Sequence, residues 1–208
     1  MIRYYNFPQR SPQWHAYRKD KWTGSTAIDL LKGKKTPPDN DSDYDNKYMQ
    51  RGRILEPLAI EAYEKSIDQL GAVKHYGFIT NSKYKHAGYS PDGILGNTLV
   101  EVKCLSKERH AGLRDAIPTN YLAQIHFGLL ISELPEALLV AYNPDADEPL
   151  LVFQIAHDLT IQASLIKRLK ATEPKRKPSQ MRAARAYIKN NPDKVRESNR
   201  KRYLKSKK

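Results

Sequence analysis

Cysteine is nearly absent from this 208-residue chain, with Cys104 the single example. One thiol can close no internal disulfide and build no zinc cluster, so a reducing compartment, the cytoplasm, is expected. Long apolar runs are missing too. No stretch approaches the roughly 18 residues that span a bilayer, so no membrane partner is expected. The opening Met1-Ile2-Arg3-Tyr4-Tyr5 lacks the apolar segment of a secretory signal. The six histidines show no His-x-x-x-His spacing, and there is no phosphate-cradling glycine loop and no Ser-His-Asp pattern. These gaps set aside zinc hydrolases, P-loop enzymes and triad hydrolases. What is left is polar and large enough for one good core plus an appendage, with 39% hydrophobic residues and a mean hydropathy of −0.72.

Acidic residues are scarce in one place only. Residues 170–208 carry 15 Lys+Arg against 3 Asp+Glu, while residues 1–169 carry 21 against 20. Nearly all of the net charge of +13 therefore sits in the tail. A polycation of this kind seeks a polyanion, most often nucleic acid, although a solvated end has the same composition. Arg182, Arg185, Lys189, Arg200 and Arg202 are interleaved with Tyr187 and Tyr203 over two short helical segments. Backbone contact plus stacking on DNA would use such a pattern. The expected division is a body over 1–172 and a basic helical tail over 173–208.

Along the body, residues 1–13 read as an irregular lead-in, with Pro8 and Pro12. Short helices are expected over 14–20 and from Ser25 or Thr26, with a polar loop over 33–47. The longest helix is expected over 48–69, where Leu55, Leu58, Ala59 and Ala62 make an apolar stripe. Glu56 lies beside that stripe, on a row with Ile60, Tyr63 and Ile67. A carboxylate there is costly to bury unless something pairs with it. Strands are expected over 73–80, 85–95, 98–105, 137–142 and 150–155, and helices over 119–132 and 159–171. Residues 106–117, with Lys107, Arg109, His110 and Arg114, read as a loop suited to DNA backbone. This order gives an α/β fold with a mixed sheet flanked by helices.

The most informative stretch is Ser90-Pro91-Asp92-Gly93 followed by Val100-Glu101-Val102-Lys103. Asp-Gly is a turn dipeptide. On a strand, Glu101 and Lys103 share one face, while Val100, Val102 and Cys104 point the other way. Cys104 thus reads as a small hydrophobe. Asp92 and Glu101 supply hard oxygen ligands for a divalent cation that activates water against a phosphodiester, and Lys103 orients or deprotonates that water or steadies developing charge.

These residues resemble the core of the PD-(D/E)xK nucleases, and more narrowly the lambda-exonuclease-like or YqaJ-type viral recombinase family. Further blocks match in order: Trp14-His15-Ala16-Tyr17-Arg18 with Thr23-Gly24-Ser25, Gly52-Arg53-Ile54-Leu55-Glu56-Pro57, Tyr121-Leu122-Ala123-Gln124-Ile125-His126, and Val140-Ala141-Tyr142-Asn143-Pro144. His126 departs from the family, which often has a second glutamine there. The resemblance implies a restriction-endonuclease-like fold and a Mg²⁺-dependent 5′→3′ exonuclease (Mn²⁺ as substitute) acting on linear double-stranded DNA in phage-type recombination. It implies a metal held by Asp92, Glu101 and the Val102 carbonyl, with Glu56 and Gln124 beside the catalytic Lys103. Arg18 and Ser25 are implied to bind the 5′-phosphate. A single-strand annealing protein and a trimeric assembly are the implied partners. An endonuclease with another cut pattern and a non-catalytic DNA-binding protein are the rival readings.

Overall fold

The computed structural model describes residues 1–38, 47–174 and, in the tail, 187, 189–194 and 197. The chain divides into two compact units, Met1–Glu173 and Pro174–Lys208. In the first, strand β1 (Ile2–Tyr5) is followed by helices α1 (Pro12–Arg18), α2 (Ala27–Leu31) and α3 (Lys47–Ser66). Strands β2 (Phe78–Asn81), β3 (Gly93–Leu95) and β4 (Thr98–Cys104) come next, then helices α4 (Lys107–Gly112) and α5 (Thr119–Ser132). Strands β5 (Glu136–Tyr142) and β6 (Leu150–Ile155) and helix α6 (Leu159–Thr172) complete it.

The main sheet has the order β3-β4-β5-β6, with β4 and β5 parallel and the other pairs antiparallel. The β4-to-β5 crossover carries α4 and α5, as a parallel connection requires. Both sheet faces are covered. On one side Ala59, Ile60 and Tyr63 of α3 pack on Val100, Val102 and Val140. On the other, Ala27, Leu30, Phe127, Leu129 and Leu165 pack with Leu99, Ala137 and Leu139. Alternate residues of β4 therefore enter two separate cores, which explains its nearly continuous burial.

Several expectations change. The strands expected over 73–80 and 85–95 are confined to Phe78–Asn81 and Gly93–Leu95. Residues 2–5 are not irregular: they pair antiparallel with Phe78–Asn81. That partner lies some 75 residues away, and no local pattern announces it. Residues 107–112 are helical rather than a loop, starting after the extended Ser106 and burying His110. The inward face of α3 is also rotated from the expected stripe. Leu58 is 46% exposed and Ile54 70%, while Ala59, Ile60, Tyr63 and Glu64 are buried. The row that carries Glu56 is thus the one facing the sheet. The loop expected over 33–47 lies partly outside the described residues.

Caps and turns fit local chemistry. Ser11 caps α1 by accepting from the Trp14 amide, with Pro12 at the first helical position. Asp158 accepts from the amides of Thr160 and Ile161 at the start of α6. Asp92-Gly93 is not the hairpin turn; Gly96, at φ 58°, turns β3 into β4. Gly93 is needed for close approach, because a Cβ there would lie 2.2 Å from Cγ1 of Val73.

Candidate active site

Strand register builds the centre. Gly93 pairs with Val100, so Asp92 enters β3 beside Glu101. Oδ2 of Asp92 accepts the Val102 amide at 2.7 Å, which locks this carboxylate to β4. Glu101 and Lys103 point to the α5 side, where Lys103 Nζ donates to Glu101 Oε1 at 2.5 Å. Gln124, one turn into α5, donates its amide to the same Glu101 oxygen and accepts from Lys103 Nζ at 3.2 Å. Glu101, Lys103 and Gln124 are thus one hydrogen-bonded group, and Asp92 is fixed beside it through the Val102 amide. Lys103 Nζ also lies 5.3 Å from the centroid of the Tyr121 ring.

The remaining Glu101 oxygen, Oε2, accepts the hydroxyl of Tyr89. Glu101 is 1% exposed and Tyr89 1% exposed, so this is a buried carboxylate with three protein donors. The Tyr89 ring sits in a slot made by two glycines. A Cβ on Gly24 or on Gly128 would lie 2.6 Å from the ring. Only the placement of Tyr89 directly before Ser90 hints at this role, so the sequence reading missed it.

Electrostatically the centre is an uneasy cluster of carboxylates. Burial pushes the Asp92 carboxyl well above its ordinary range, and the charges of Glu101 and Glu56 push it further. Burial likewise raises Glu56, against the pull of Arg10, and Glu101 adds to the rise. Burial alone would depress Lys103, but Glu101 and Asp92 overcome it, so its ammonium is favoured. Cys104 packs beside the valine core of β4, where burial pushes its thiol up to about 11. It is not a nucleophile. Among the described residues no three His, Cys, Asp or Glu side chains converge tightly enough to cage a metal alone. Asp92 and Glu101 nevertheless bring hard carboxylate oxygens to neighbouring positions at the start of β3 and on β4, the donor chemistry that a divalent cation takes.

Arg18 is buried on α1, with its guanidinium 4.1 Å from the centroid of the Trp14 ring. Both reach the turn before Asp92: Trp14 Nε1 donates to Ser90 Oγ at 2.8 Å, and an Arg18 nitrogen lies 3.5 Å from the same oxygen. Ser25 is exposed on a 3-10 turn, Gly24–Thr26, with its hydroxyl 3.1 Å from that of Thr23. A Cβ on Gly24 would lie 3.1 Å from Cγ of Gln124, so this turn abuts the site. Farther out, Lys107 pairs with Asp147 at 3.0 Å on the surface. Arg109 borders a cavity of about 420 Å³ walled by Leu105, Leu113, Pro118 and Tyr121. In the tail Lys189 is helical and exposed, while Arg182, Arg185, Arg200 and Arg202 lie outside the described residues.

A three-layer α/β body with Asp92, Glu101 and Lys103 on adjacent strands has the fold of the restriction-endonuclease-like exonucleases. The alkaline exonuclease of Laribacter hongkongensis superposes with a TM-score of 0.66 at 23% identity, covering 89% of this chain and all of that one. The same enzyme in complex with dAMP gives 0.67. A phage-related exonuclease from Haemophilus somnus gives 0.51 at 12% identity, over 74% of this chain and 92% of that one. No match to a curated protein is found. Residues 13–135 match the YqaJ-like viral recombinase domain, and the chain belongs to that family. Among the described residues no helix is long and apolar enough to cross a membrane.

Proposed function

We propose that the protein is a Mg²⁺-dependent deoxyribonuclease that degrades the 5′ strand of linear duplex DNA and leaves a 3′ overhang. The observation that carries this reading is the bonded trio Glu101, Lys103 and Gln124, with Asp92 locked beside it to the Val102 amide. Asp92, Glu101 and the Val102 carbonyl would hold the cation, with Glu56 acting through water and Mn²⁺ able to substitute. When bound there, the ion would polarise the phosphodiester and lower the pKa of water.

The chain's own groups do the rest. Glu101, fixed by Tyr89, Gln124 and Lys103, keeps its oxygens aimed without rearrangement during reaction. Against burial, the charges of Glu101 and Asp92 favour the Lys103 ammonium. It acts as a donor, holding the attacking water and steadying charge on the phosphoryl oxygens. Gln124 holds Lys103 in that line. Arg18, flattened on Trp14 beside Ser90, and Ser25 hold the terminal 5′-phosphate and so set polarity. The exposed 3′ strand would pass to a single-strand annealing protein, and a trimer would keep the enzyme on its track.

The test compares end-labelled linear duplex with closed circular DNA in Mg²⁺. Mononucleotides released from the linear form alone are expected. Cutting of the closed circle would make the protein an endonuclease instead. Asp92→Ala, Glu101→Ala and Lys103→Ala should each lower turnover at least about 100-fold, the scale of losing a principal electrostatic or acid–base group. Near-wild-type cleavage by Asp92→Ala and Lys103→Ala would overturn the assignment.

A further inference from the structure

One opening reaches Asp92 with neither Arg18 nor Ser25 in its lining. This cleft, of about 290 Å³, is lined by Gln9, Arg10, Arg53, Glu56, His75 and Asp92 among others. Asp92 and Glu56 form its acidic side. Arg10 and Arg53 line this one cleft; burial and then the Arg53 charge disfavour the Arg10 guanidinium, while Glu56 and Asp92 favour it. Two guanidiniums in one cleft present several N–H donors to an anion that enters it.

The segment that carries Arg10 is built with care. Its backbone is left-handed, at φ 66°, where a residue other than glycine is uncommon. The Gln9 amide donates to the Pro91 carbonyl at 2.8 Å, tying this loop to the residues before Asp92. At the loop's other end Gly77 lets the strands close. Its amide donates to Tyr5, and a Cβ there would lie 1.9 Å from the Phe7 carbonyl oxygen. His75 reaches from the opposite wall, with Nδ1 3.0 Å from the Asp92 carbonyl oxygen. Arg53 stands three residues before Glu56 on α3, so one helical face presents both. An arginine with only a surface role needs neither the left-handed backbone nor the tether.

We propose that Arg10 and Arg53 form a phosphate clamp for the substrate strand, gripping the phosphodiester on the 3′ side of the one being cut. The inference rests on the nuclease reading and adds a subsite to it. With the terminal phosphate held by Arg18 and Ser25 and the scissile one over Asp92 and Glu101, the strand leaves through this cleft. Two planar guanidiniums suit the oxygens of one diester. The clamp fixes the scissile phosphate from its far side.

The competing account makes Arg10 an internal counter-ion for Glu56 and Asp92. The two differ in what is lost. Full-length wild type, Arg10→Gly, Arg10→Lys and Arg53→Gln are compared; glycine removes the side chain while suiting the left-handed backbone. Duplex affinity is measured in Ca²⁺ without turnover, on DNA that is all-phosphate or carries one neutral methylphosphonate at the first, second or third linkage. Mg²⁺ titrations of cleavage accompany it. Arg10→Gly should weaken binding about tenfold, the scale of losing charge-assisted hydrogen bonds. Arg10→Lys should recover part of the loss. A methylphosphonate next to the scissile linkage should weaken the wild type most and Arg10→Gly or Arg53→Gln by a smaller factor, because one arginine of the clamp remains in each variant. Wild-type affinity in Arg10→Gly, with half-maximal activity reached at lower Mg²⁺, would overturn the clamp in favour of the counter-ion. If the wild type cut no DNA at all, the nuclease reading would fall, while the affinities and their response to the neutral linkage would still decide the clamp.

Discussion

Tyr89 offers the sharpest test of how the site is held. Phenylalanine keeps the ring that fills the slot between Gly24 and Gly128 and removes only the hydroxyl on Glu101. A buried, charged acceptor then loses one of three protein donors, while Lys103 and Gln124 still hold the other oxygen. The cost of such a loss is about 1.5–3 kcal/mol. Tyr89→Phe in EDTA should therefore lose stability on that scale in urea unfolding, because a carboxylate only 1% exposed gains little from solvent in place of the lost donor. In excess Mg²⁺ an ion on Glu101 would replace part of the missing donor, so the stability gap should narrow. A re-aimed carboxylate should still cost turnover roughly 10- to 100-fold, since about 1.4 kcal/mol is a factor of ten. A control, Tyr89→Leu, empties the slot as well and should be less stable than Tyr89→Phe in both conditions. The reasoning is refuted if Tyr89→Phe matches the wild type in urea stability, in turnover and in its Mg²⁺ requirement. The ring would then be filler and the hydroxyl incidental.

Three further outcomes are expected. Asp92 and Glu56 have raised carboxyl pKa values, so their contribution to metal-free stability is full below the ordinary carboxylate range. It is lost as pH rises through the shifted values. Thermal melts in EDTA should show this decline for the wild type relative to Asp92→Asn, with the variant more stable at neutral pH; parallel curves would contradict it. Arg18→Ala should erase most of the preference for 5′-phosphorylated over 5′-hydroxyl ends in cleavage assays, and an unchanged preference would remove Arg18 from that role. Deleting residues 174–208 should flatten the slope of log K against log salt by several units, given about 0.9 per phosphate contact, and leave low-salt cleavage in place. Equal slopes for the two proteins would mean that the tail does not touch DNA.

The sequence by itself determined the elements whose signals are local. Val100-Glu101-Val102-Lys103 shows its two faces by alternation alone, and β4 has them, with the valines in one core and Glu101 bonded to Lys103 on the other side. Helix α5 follows its proline and its apolar run, and α6 follows the Asp158 cap. The ordered motif blocks were enough to name the family. The stripe on α3 was less legible, because Ile54, Leu58 and Ile60 offer two apolar faces of similar strength, and only the sheet beneath selects one.

Tertiary structure decided what depends on distant partners. β1 exists because Phe78–Asn81 supplies its hydrogen bonds, and a four-residue strand carries too little pattern to show itself. Tyr89 became a support of Glu101 only when Gly24 and Gly128, from two other elements, opened a slot for its ring. Arg10, from a stretch that reads as irregular, reaches Asp92 because Gln9 bonds Pro91 across 82 residues of sequence. Chemistry on a strand can be read from its own alternation. The shell that orients it comes from pairings and close approaches that no window of sequence contains.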